Sequence, residues 1–346
     1  YFQELAVDTK DPNRLYNIYQ PLSVSYDGGV SFDPVPMIPA DETKGIHADF
    51  HAFWVNPEDP QHFIIGGDGG IGITNDHGKS WYFPETIPVA QFYHINVDND
   101  MPYNVYGGMQ DNGNWSGPGY TWKRGGIRTL YWQYLVGGDG FYVAADKENS
   151  RFGYGTSQNG NLYRYDKLTG YYVSIKPPSP NLDTRLRFNW NAGFAKDPID
   201  EKGLYYGSQF LHITKDKGAT WDIISPDLTT NNPEHQRSDY GGLTLDVSGA
   251  EMYNSILSIA PSAVDKNVIW VGTDDGQIQL TKDGGKTWSN LTRQVKGMPK
   301  EAWIAQIKAS HYKASSAWMV VNNYRKGDYR PYLFKTDDFG KNWKLM

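Results

Sequence analysis

The hydrophobic residues of this chain occur in short runs that are separated by glycine, proline, aspartate and asparagine. Runs of this kind predict β-strands, because a helix needs an apolar stripe that is sustained over a longer window. No apolar run is long enough to cross a bilayer as a helix. The clearest predicted strands are Phe92 to Val97, Tyr103 to Gly108, Gly140 to Ala145, Phe152 to Thr156 and Leu162 to Tyr165.

A short motif, Ser/Thr-x-Asp-x-Gly-x-Ser/Thr/Asn-aromatic, recurs along the chain. It occurs as SYDGGVSF from Ser25, TNDHGKSW from Thr74, TKDKGATW from Thr214, TKDGGKTW from Thr281 and TDDFGKNW from Thr336. An aspartate in a tight turn accepts hydrogen bonds from backbone N–H groups, while glycine takes a positive φ. The aromatic residue is expected to pack between adjacent sheets. We therefore predict a structural role for the five motif aspartates, Asp27, Asp76, Asp216, Asp283 and Asp338.

The motifs and the strands between them divide the chain into seven units. The units start near Glu4, Phe50, Phe92, Gly140, Asn189, Ser255 and Trp303. Four short antiparallel strands in each unit of about 40–50 residues are typical of a propeller blade. The predicted fold is all-β, a β-propeller of about seven four-stranded antiparallel blades over residues 1–346. The abrupt first and last residues lead us to expect a fragment of a longer multi-propeller protein.

Composition narrows the classes of function. The chain is 15% aromatic and contains 37 glycines and 20 prolines, which favours an all-β fold. Its 33 basic and 39 acidic residues give a net charge of −6, whereas nucleic-acid binding calls for a basic excess. The absence of cysteine excludes disulfides, thiol nucleophiles and thiolate metal ligands. No nucleic-acid partner is therefore expected.

Longer segments add a resemblance to a known family. They are HADFHAFWVNPEDPQHFIIGGDGG (His47 to Gly70), GGMQDNGNWSGP (Gly107 to Pro118), SPDLTTNNPE (Ser225 to Glu234) and VIWVGTDDGQIQLTKDGGKTW (Val268 to Trp288). With the five motifs, they resemble Asp-box or BNR-repeat proteins, a group that includes sialidases, two-propeller xyloglucanases and the sortilin ectodomain. The nearer resemblance is to large exported bacterial proteins of glycosyl-hydrolase-like or sortilin-like type. It implies an extracellular, periplasmic or cell-surface location, with other blades of the same parent protein as partners.

Candidate catalytic carboxylates lie at glycine-rich strand ends, where propeller ligands usually bind. In xyloglucanase-type enzymes a catalytic aspartate occupies a comparable place, and this resemblance favours Asp68, followed by Gly69 and Gly70. We pair it with Asp111, because glycoside hydrolysis requires two carboxyl groups. Alternatively, each aspartate bonds the amides of the next turn. Further acids at such ends are Asp139, Asp274 and Asp275.

The segment His47-Ala48-Asp49-Phe50-His51 is a weak metal candidate. At strand spacing, His47, Asp49 and His51 would project from one face and converge on Zn²⁺ or a similar cation. The commoner outcome is His–Asp bonding that pins a loop, so no metal site and no cofactor is expected. The sequence leaves open whether a structural Ca²⁺ is bound.

An aromatic segment from Gly113 to Leu135 is a candidate ligand surface. Pyranose rings stack on indoles and phenols, while neighbouring charges bind hydroxyl groups. The candidate ligand-binding residues are Trp115, Trp122, Trp132, Arg128 and, from a second long loop, Tyr240. The alternative is that these aromatic residues pack between blades.

Two functions of different classes follow. The first is a secreted propeller that presents a binding surface for a glycan or protein ligand. The alternative is a glycoside hydrolase that acts on a polysaccharide with paired carboxylates at the propeller mouth. Sialidase activity is disfavoured, because no Arg-Ile-Pro tripeptide is present. The sequence does not decide between binding and catalysis.

Overall fold

The structure is a computed structural model that describes residues 4–37, 47–84, 87, 89–237, 249–250 and 253–346. Contacts between residues group the chain into two compact units. Unit 1 comprises the described residues of Tyr1–Gln91, Met109–Asn112 and Arg124–Tyr131. Unit 2 comprises those of Phe92–Gly108, Gly113–Lys123 and Trp132–Met346.

Unit 1 contains two antiparallel sheets. Their strands are β1 (Glu4–Val7), β2 (Leu15–Ile18), β3 (Ser23–Ser25) and β4 (Asp33–Pro34) in the first sheet, and β5 (Phe50–Val55), β6 (Phe63–Gly67) and β7 (Gly70–Thr74) in the second. A single bridge between Ile73 and Tyr82 stands where a fourth strand of the second sheet would be. Pro84 follows two residues later, and proline has no N–H group with which to extend the ladder.

Unit 2 contains five four-stranded antiparallel sheets. The strands of its first two sheets are β8 (Phe92–Val97), β9 (Asn104–Met109), β10 (Gly113–Pro118), β11 (Gln133–Val136), β12 (Val143–Ala145), β13 (Phe152–Ser157), β14 (Asn161–Asp166) and β15 (Tyr172–Ser174). Those of the other three are β16 (Phe194–Lys196), β17 (Leu204–Gly207), β18 (Leu211–Thr214), β19 (Asp222–Ile223), β20 (Ile256–Pro261), β21 (Ile269–Thr273), β22 (Ile278–Thr281), β23 (Ser289–Asn290), β24 (Trp303–Ala309), β25 (Ala317–Asn323), β26 (Asp328–Thr336) and β27 (Lys344–Leu345).

In every sheet, each strand pairs with the next strand in the chain. This up-and-down order is that of propeller blades. The predicted fold class, an all-β protein built from about seven blade-like antiparallel sheets, is therefore confirmed for the part of the chain that the structure describes. The four helices there are short 3₁₀ turns, Thr129–Tyr131, Pro233–Gln236, Thr292–Gln294 and Tyr324–Lys326. None of them has the length or the hydropathy to cross a membrane.

The core lies between neighbouring sheets. In unit 1, one cluster joins the two sheets through Tyr16, Ile18, Leu22, Val24, Val35, Phe50, Phe63 and Ile65. In unit 2, the last two sheets share a cluster that includes the fully buried side chains of Trp270, Ile304 and Phe334. Large apolar residues on strands of adjacent sheets thus pack together and remove each other from water.

The five motifs form turns with one hydrogen-bond pattern. In the turn after β7, the Thr74 hydroxyl donates to Asp76 Oδ1 at 2.8 Å and accepts from the Gly78 amide at 2.9 Å. The Ser80 amide donates to Asp76 Oδ1 at 2.9 Å, and the Ser80 hydroxyl donates to Asp76 Oδ2 at 2.5 Å. The corresponding bonds recur around Asp27, Asp216, Asp283 and Asp338.

Three of the motif tryptophans also link neighbouring sheets. Each donates its indole N–H to the carbonyl of a residue that follows the last strand of the preceding sheet. The pairs are Trp81 and Pro36 at 3.1 Å, Trp221 and Ile175 at 2.9 Å, and Trp288 and Ile224 at 2.9 Å. The motif therefore closes its own turn and also fixes the position of one sheet against the one before it.

Candidate functional site

The turn between β6 and β7 lies against the backbone of the segment that precedes β5. A Cβ atom added at Gly67 would lie 2.6 Å from the Asp49 carbonyl oxygen, and one added at Gly69 would lie 2.2 Å from the His47 backbone nitrogen. The Asp68 amide donates to the Asp49 carbonyl at 3.2 Å. Glycine is needed at both positions because two backbones approach each other there.

Asp68 pairs with His51, and the contact is an ion pair when the imidazole is protonated. The Nε2 atom of His51 lies 2.9 Å from Oδ1 of Asp68, and the two side chains are 32% and 28% exposed. The Asp68 carbonyl accepts a hydrogen bond from Nδ2 of Asn112 at 3.1 Å. The turn that contains Asp68 is therefore tied to β5 on one side and to the β9–β10 turn on the other.

A second group gathers beside this turn. Ligand-type atoms of His47, Asp49 and Asp111 all lie within 4.8 Å of one another, and the three residues are partly buried. The Nδ1 atom of His47 is 3.7 Å from Oδ2 of Asp49. The other carboxylate oxygen of Asp49, Oδ1, is buried and has no hydrogen-bond partner among the described residues. One imidazole and two carboxylates thus meet, and one oxygen of these carboxylates is an unsatisfied acceptor within the described part of the chain.

The backbone explains why this group differs from the set suggested by strand spacing. Asp49 has a φ of 65°, in the left-handed region, so residues 47 to 49 do not continue the strand. The register of β5 against β6 also shifts between Phe50 and Ala52, which places His51 in an irregularity of the ladder. Simple alternation therefore fails here, and His51 pairs with Asp68 instead of joining His47 and Asp49.

The two candidate catalytic carboxylates belong to different sets. Asp68 lies with His51, whereas Asp111 lies with His47 and Asp49. Asp111 also has a left-handed backbone, with a φ of 61°. The sequence analysis did not predict that Asp111 lies beside residues 47–49. The glycines of the GGDGG turn indicate only that another segment packs closely against that turn. The catalytic pairing of Asp68 with Asp111 stays a prediction.

Two candidate aromatic residues lie on one face of the β10–β11 pair. Trp115 stands opposite Tyr134 in the ladder, and their rings meet edge to face with centroids 5.3 Å apart. Trp132 lies over Gly117, where an added Cβ would be 2.5 Å from the indole ring. Tyr134 is 49% exposed, while Trp115 and Trp132 are partly buried. Glycine at 117 thus makes room for a flat aromatic group on this face.

Trp122 lies in the loop after β10. Its side chain is 87% exposed and contacts the ring of Tyr120 edge to face at 4.9 Å. Arg128 is also exposed but belongs to unit 1, where its guanidinium lies near Gly125. Tyr240, the remaining ligand-binding candidate, lies outside the described residues.

The acids at the glycine-rich end of β21 are enclosed. Asp274 accepts hydrogen bonds from the Ser255 hydroxyl at 2.6 Å, the Asn254 amide at 2.9 Å and Nδ2 of Asn189 at 2.9 Å. Burial raises the pKa of Asp274 to about 6, and the hydrogen bonds from Ser255 and Asn189 limit the rise. Asp274 and its neighbour Asp275 have no exposed surface. Their carboxylates organise the interior of unit 2 and do not face solvent.

Asp139 is likewise engaged in the protein. Its Oδ2 atom accepts a hydrogen bond from the indole N–H of Trp190 at 2.8 Å. Because the residue is buried, this bond holds two segments of unit 2 together. Asp68, with a side chain that is 28% exposed, is therefore more accessible to solvent than Asp139, Asp274 or Asp275.

No protein-family model matches the chain, and no curated protein sequence matches it. Several solved structures are similar. YCF48 from Cyanidioschyzon merolae is 14% identical with a TM-score of 0.43, over 97% of this chain and 94% of that one. Chaetomium thermophilum Sqt1, bound to the N-terminus of ribosomal protein L10, is 14% identical with a TM-score of 0.49, over 98% and 85%. The GH74 enzyme of Niastella koreensis is 13% identical with a TM-score of 0.30, over 99% and 65%. Identities of this size give no information about ligand or activity.

Proposed function

We propose that the protein is a binding propeller whose ligand is a polysaccharide, held by aromatic side chains of unit 2. We call Trp115, Tyr120, Trp122, Trp132 and Tyr134 the aromatic surface. The observation that carries the proposal is the exposure of Trp122, which at 87% is the most accessible tryptophan side chain among the described residues. An exposed indole of this kind is a characteristic anchor for a ligand.

The chemistry of the aromatic surface suits a sugar chain. Indole and phenol rings offer a flat apolar face together with a polar N–H or O–H group. The apolar face of a pyranose ring stacks on the former, and its hydroxyl groups bond to the latter. Trp115 and Tyr134 are held edge to face by the β10–β11 ladder, so little side-chain freedom would be lost on binding.

Affinity electrophoresis in gels that contain soluble plant and microbial polysaccharides tests this proposal. At least one polysaccharide should retard the protein, and Trp122→Ala should weaken that binding about tenfold. Tyr312→Ala is a matched control, because Tyr312 is 94% exposed but lies in the loop between β24 and β25. If Trp122→Ala is retarded as strongly as the parent, the aromatic surface is not the binding site. Binding of peptides with no retardation by any polysaccharide would favour a protein ligand.

The alternative function, glycoside hydrolysis, is favoured by one observation. The Asp68 carboxylate is partly accessible and has an imidazole as its neighbour. Hydrolysis would need a second carboxyl group across the substrate, for which we propose Asp111. Release of reducing sugar that Asp68→Asn abolishes would support this alternative, and binding without release would support the aromatic surface alone.

We further propose that the five turns are Asp-boxes and that the protein is an exported member of the BNR-repeat group. The shared hydrogen-bond pattern around the motif aspartates supports the first part. Cell fractionation of the producing organism tests the second. Recovery with the extracellular, periplasmic or surface fraction is expected, and recovery with the cytoplasm would contradict it.

A further inference from the structure

We propose that His47, Asp49 and Asp111 form a binding site for a divalent transition-metal ion, with Zn²⁺ as the ion of choice. We call these three residues the HDD site. The inference is independent of the proposed carbohydrate binding, because the aromatic surface belongs to unit 2 and the HDD site to unit 1.

The first argument is proximity. One ligand atom from each of the three side chains lies within 4.8 Å of the other two. Nδ1 of His47 is 3.7 Å from Oδ2 of Asp49 and 3.1 Å from the Ala48 carbonyl oxygen, so a proton on Nδ1 would leave Nε2 as the metal ligand. Zinc binds imidazole nitrogen and carboxylate oxygen at about 2.0–2.2 Å. Ligand atoms bound to one such ion are closer to one another than 4.8 Å, so a small inward movement of the three side chains would complete the site.

The second argument is the unsatisfied carboxylate. Within the part of the chain that the structure describes, Oδ1 of Asp49 is buried and has no hydrogen-bond donor, and the Asp49 side chain as a whole is only 16% exposed. Most buried polar atoms in native proteins have partners, and a bound ion is one explanation for an atom that has none. A cation at the HDD site supplies the positive partner that this oxygen lacks.

The third argument is the type of donor. One imidazole with two carboxylates is a mixed nitrogen and oxygen set, which suits Zn²⁺ better than the all-oxygen surroundings that Ca²⁺ and Mg²⁺ prefer. Three protein ligands leave at least one coordination position for water.

The fold brings these ligands together through the tight turn of β6 and β7. Gly69 lets the turn approach the backbone of His47, and Asn112, next to Asp111, bonds to the carbonyl of Asp68. The ion would therefore connect residues 47–49 with residue 111 across a turn that already contacts both segments. Binding of the ion to the native state alone should raise the unfolding temperature.

Isothermal titration of the chelator-treated full chain with ZnCl₂ tests the proposal. One Zn²⁺ per chain is expected, and Asp49→Asn and Asp111→Asn should each weaken binding by about 10- to 100-fold. Asparagine is suited to both positions, because it adopts the left-handed backbone more readily than most residues. His51→Gln is the matched control, since His51 is a histidine of the same segment that pairs with Asp68.

The experiment also separates loss of a ligand from loss of the fold. Without metal, both asparagine variants should unfold at the temperature of the metal-free parent, and at the same Zn²⁺ concentration the parent should gain more stability than either variant. The proposal is overturned by substoichiometric binding, or by equal weakening in His51→Gln and the asparagine variants. If an asparagine variant fails to fold, His47→Gln gives the same test from the third ligand.

Discussion

Strand β7 joins two turns whose aspartates obtain their partners in different ways. At its end, Asp76 receives its hydrogen bonds from Thr74 and Ser80, all within one short stretch of chain. At its start, Asp68 pairs with His51, and the neighbouring Asp49 meets Asp111 from a much later turn. At the two ends of β7, the acid that is satisfied locally serves the fold, whereas the partly accessible acids that meet distant segments are candidates for binding.

The largest effect is expected from closing the space at the start of β7. Gly69→Ala places a Cβ atom 2.2 Å from a backbone nitrogen of His47, and backbone cannot move aside as a side chain can. We expect a loss of about 3 kcal/mol in the free energy of unfolding, measured with urea. Gly66→Ala is the control, because its Cβ would meet only the Ala52 side chain at 3.6 Å. Equal stability of the two variants would show that the close approach is unimportant.

A smaller loss is expected at the other end of β7. Thr74→Val keeps the shape of a buried side chain but removes the acceptor for the Gly78 amide and the donor to Asp76. An unsatisfied buried amide costs about 1–2 kcal/mol, which urea unfolding can measure. Thr9→Val, at an exposed hydroxyl that bonds only to a carbonyl, should change stability much less. A neutral Thr74→Val would mean that the turn does not depend on its own side chains.

The free energy of unfolding should depend on pH through the carboxylate of Asp76, in the same turn. Hydrogen bonds from Ser80 lower the pKa of Asp76 to about 2, against the opposing effect of burial. Because the folded-state pKa lies below the unfolded value, this contribution is complete above about pH 4 and is lost as the pH falls towards 2. The difference in unfolding free energy between the parent and Asp76→Asn should therefore shrink over that interval. A difference that stays constant would contradict the assigned hydrogen bonds.

The smallest effect is expected from Asp68→Asn. The Asp68–His51 pair is partly exposed, and such ion pairs contribute about 0–1 kcal/mol. Thermal unfolding at neutral pH should therefore barely distinguish this variant from the parent. A large destabilisation would place Asp68 with the structural aspartates and weaken both its catalytic candidacy and the contrast between the two ends of β7.

The sequence predicted what is encoded locally. The motif around Asp76 specifies its own turn, so both the fold class and the blade-like units followed from its recurrence and from the short strands. The position of Trp81 between sheets followed from the size of its side chain, and its bond to Pro36 adds a contact that the motif does not contain. The short apolar runs and the turn residues were therefore enough to predict most of the fold.

The candidate site could be predicted only in part. The sequence predicted that His47 and Asp49 lie together. It also predicted that His51 joins them, because residues alternate along a strand, but the left-handed backbone at Asp49 breaks this alternation. Asp111 was chosen for a different role, because no local pattern reveals that its turn meets residues 47–49. Contacts between distant segments depend on how the sheets are arranged, and a single sequence does not encode that in any short motif.

The self-contained nature of the Asp76 turn has a consequence for how such a chain can evolve. Its donors and acceptors all lie between Thr74 and Ser80, so a duplicated gene segment that includes one blade carries a complete copy of the turn. The group formed by His47, Asp49 and Asp111 cannot be copied in this way, since no single blade encodes it. Repeated duplication of a blade would therefore multiply the turn, whereas the group of His47, Asp49 and Asp111 would stay a single copy.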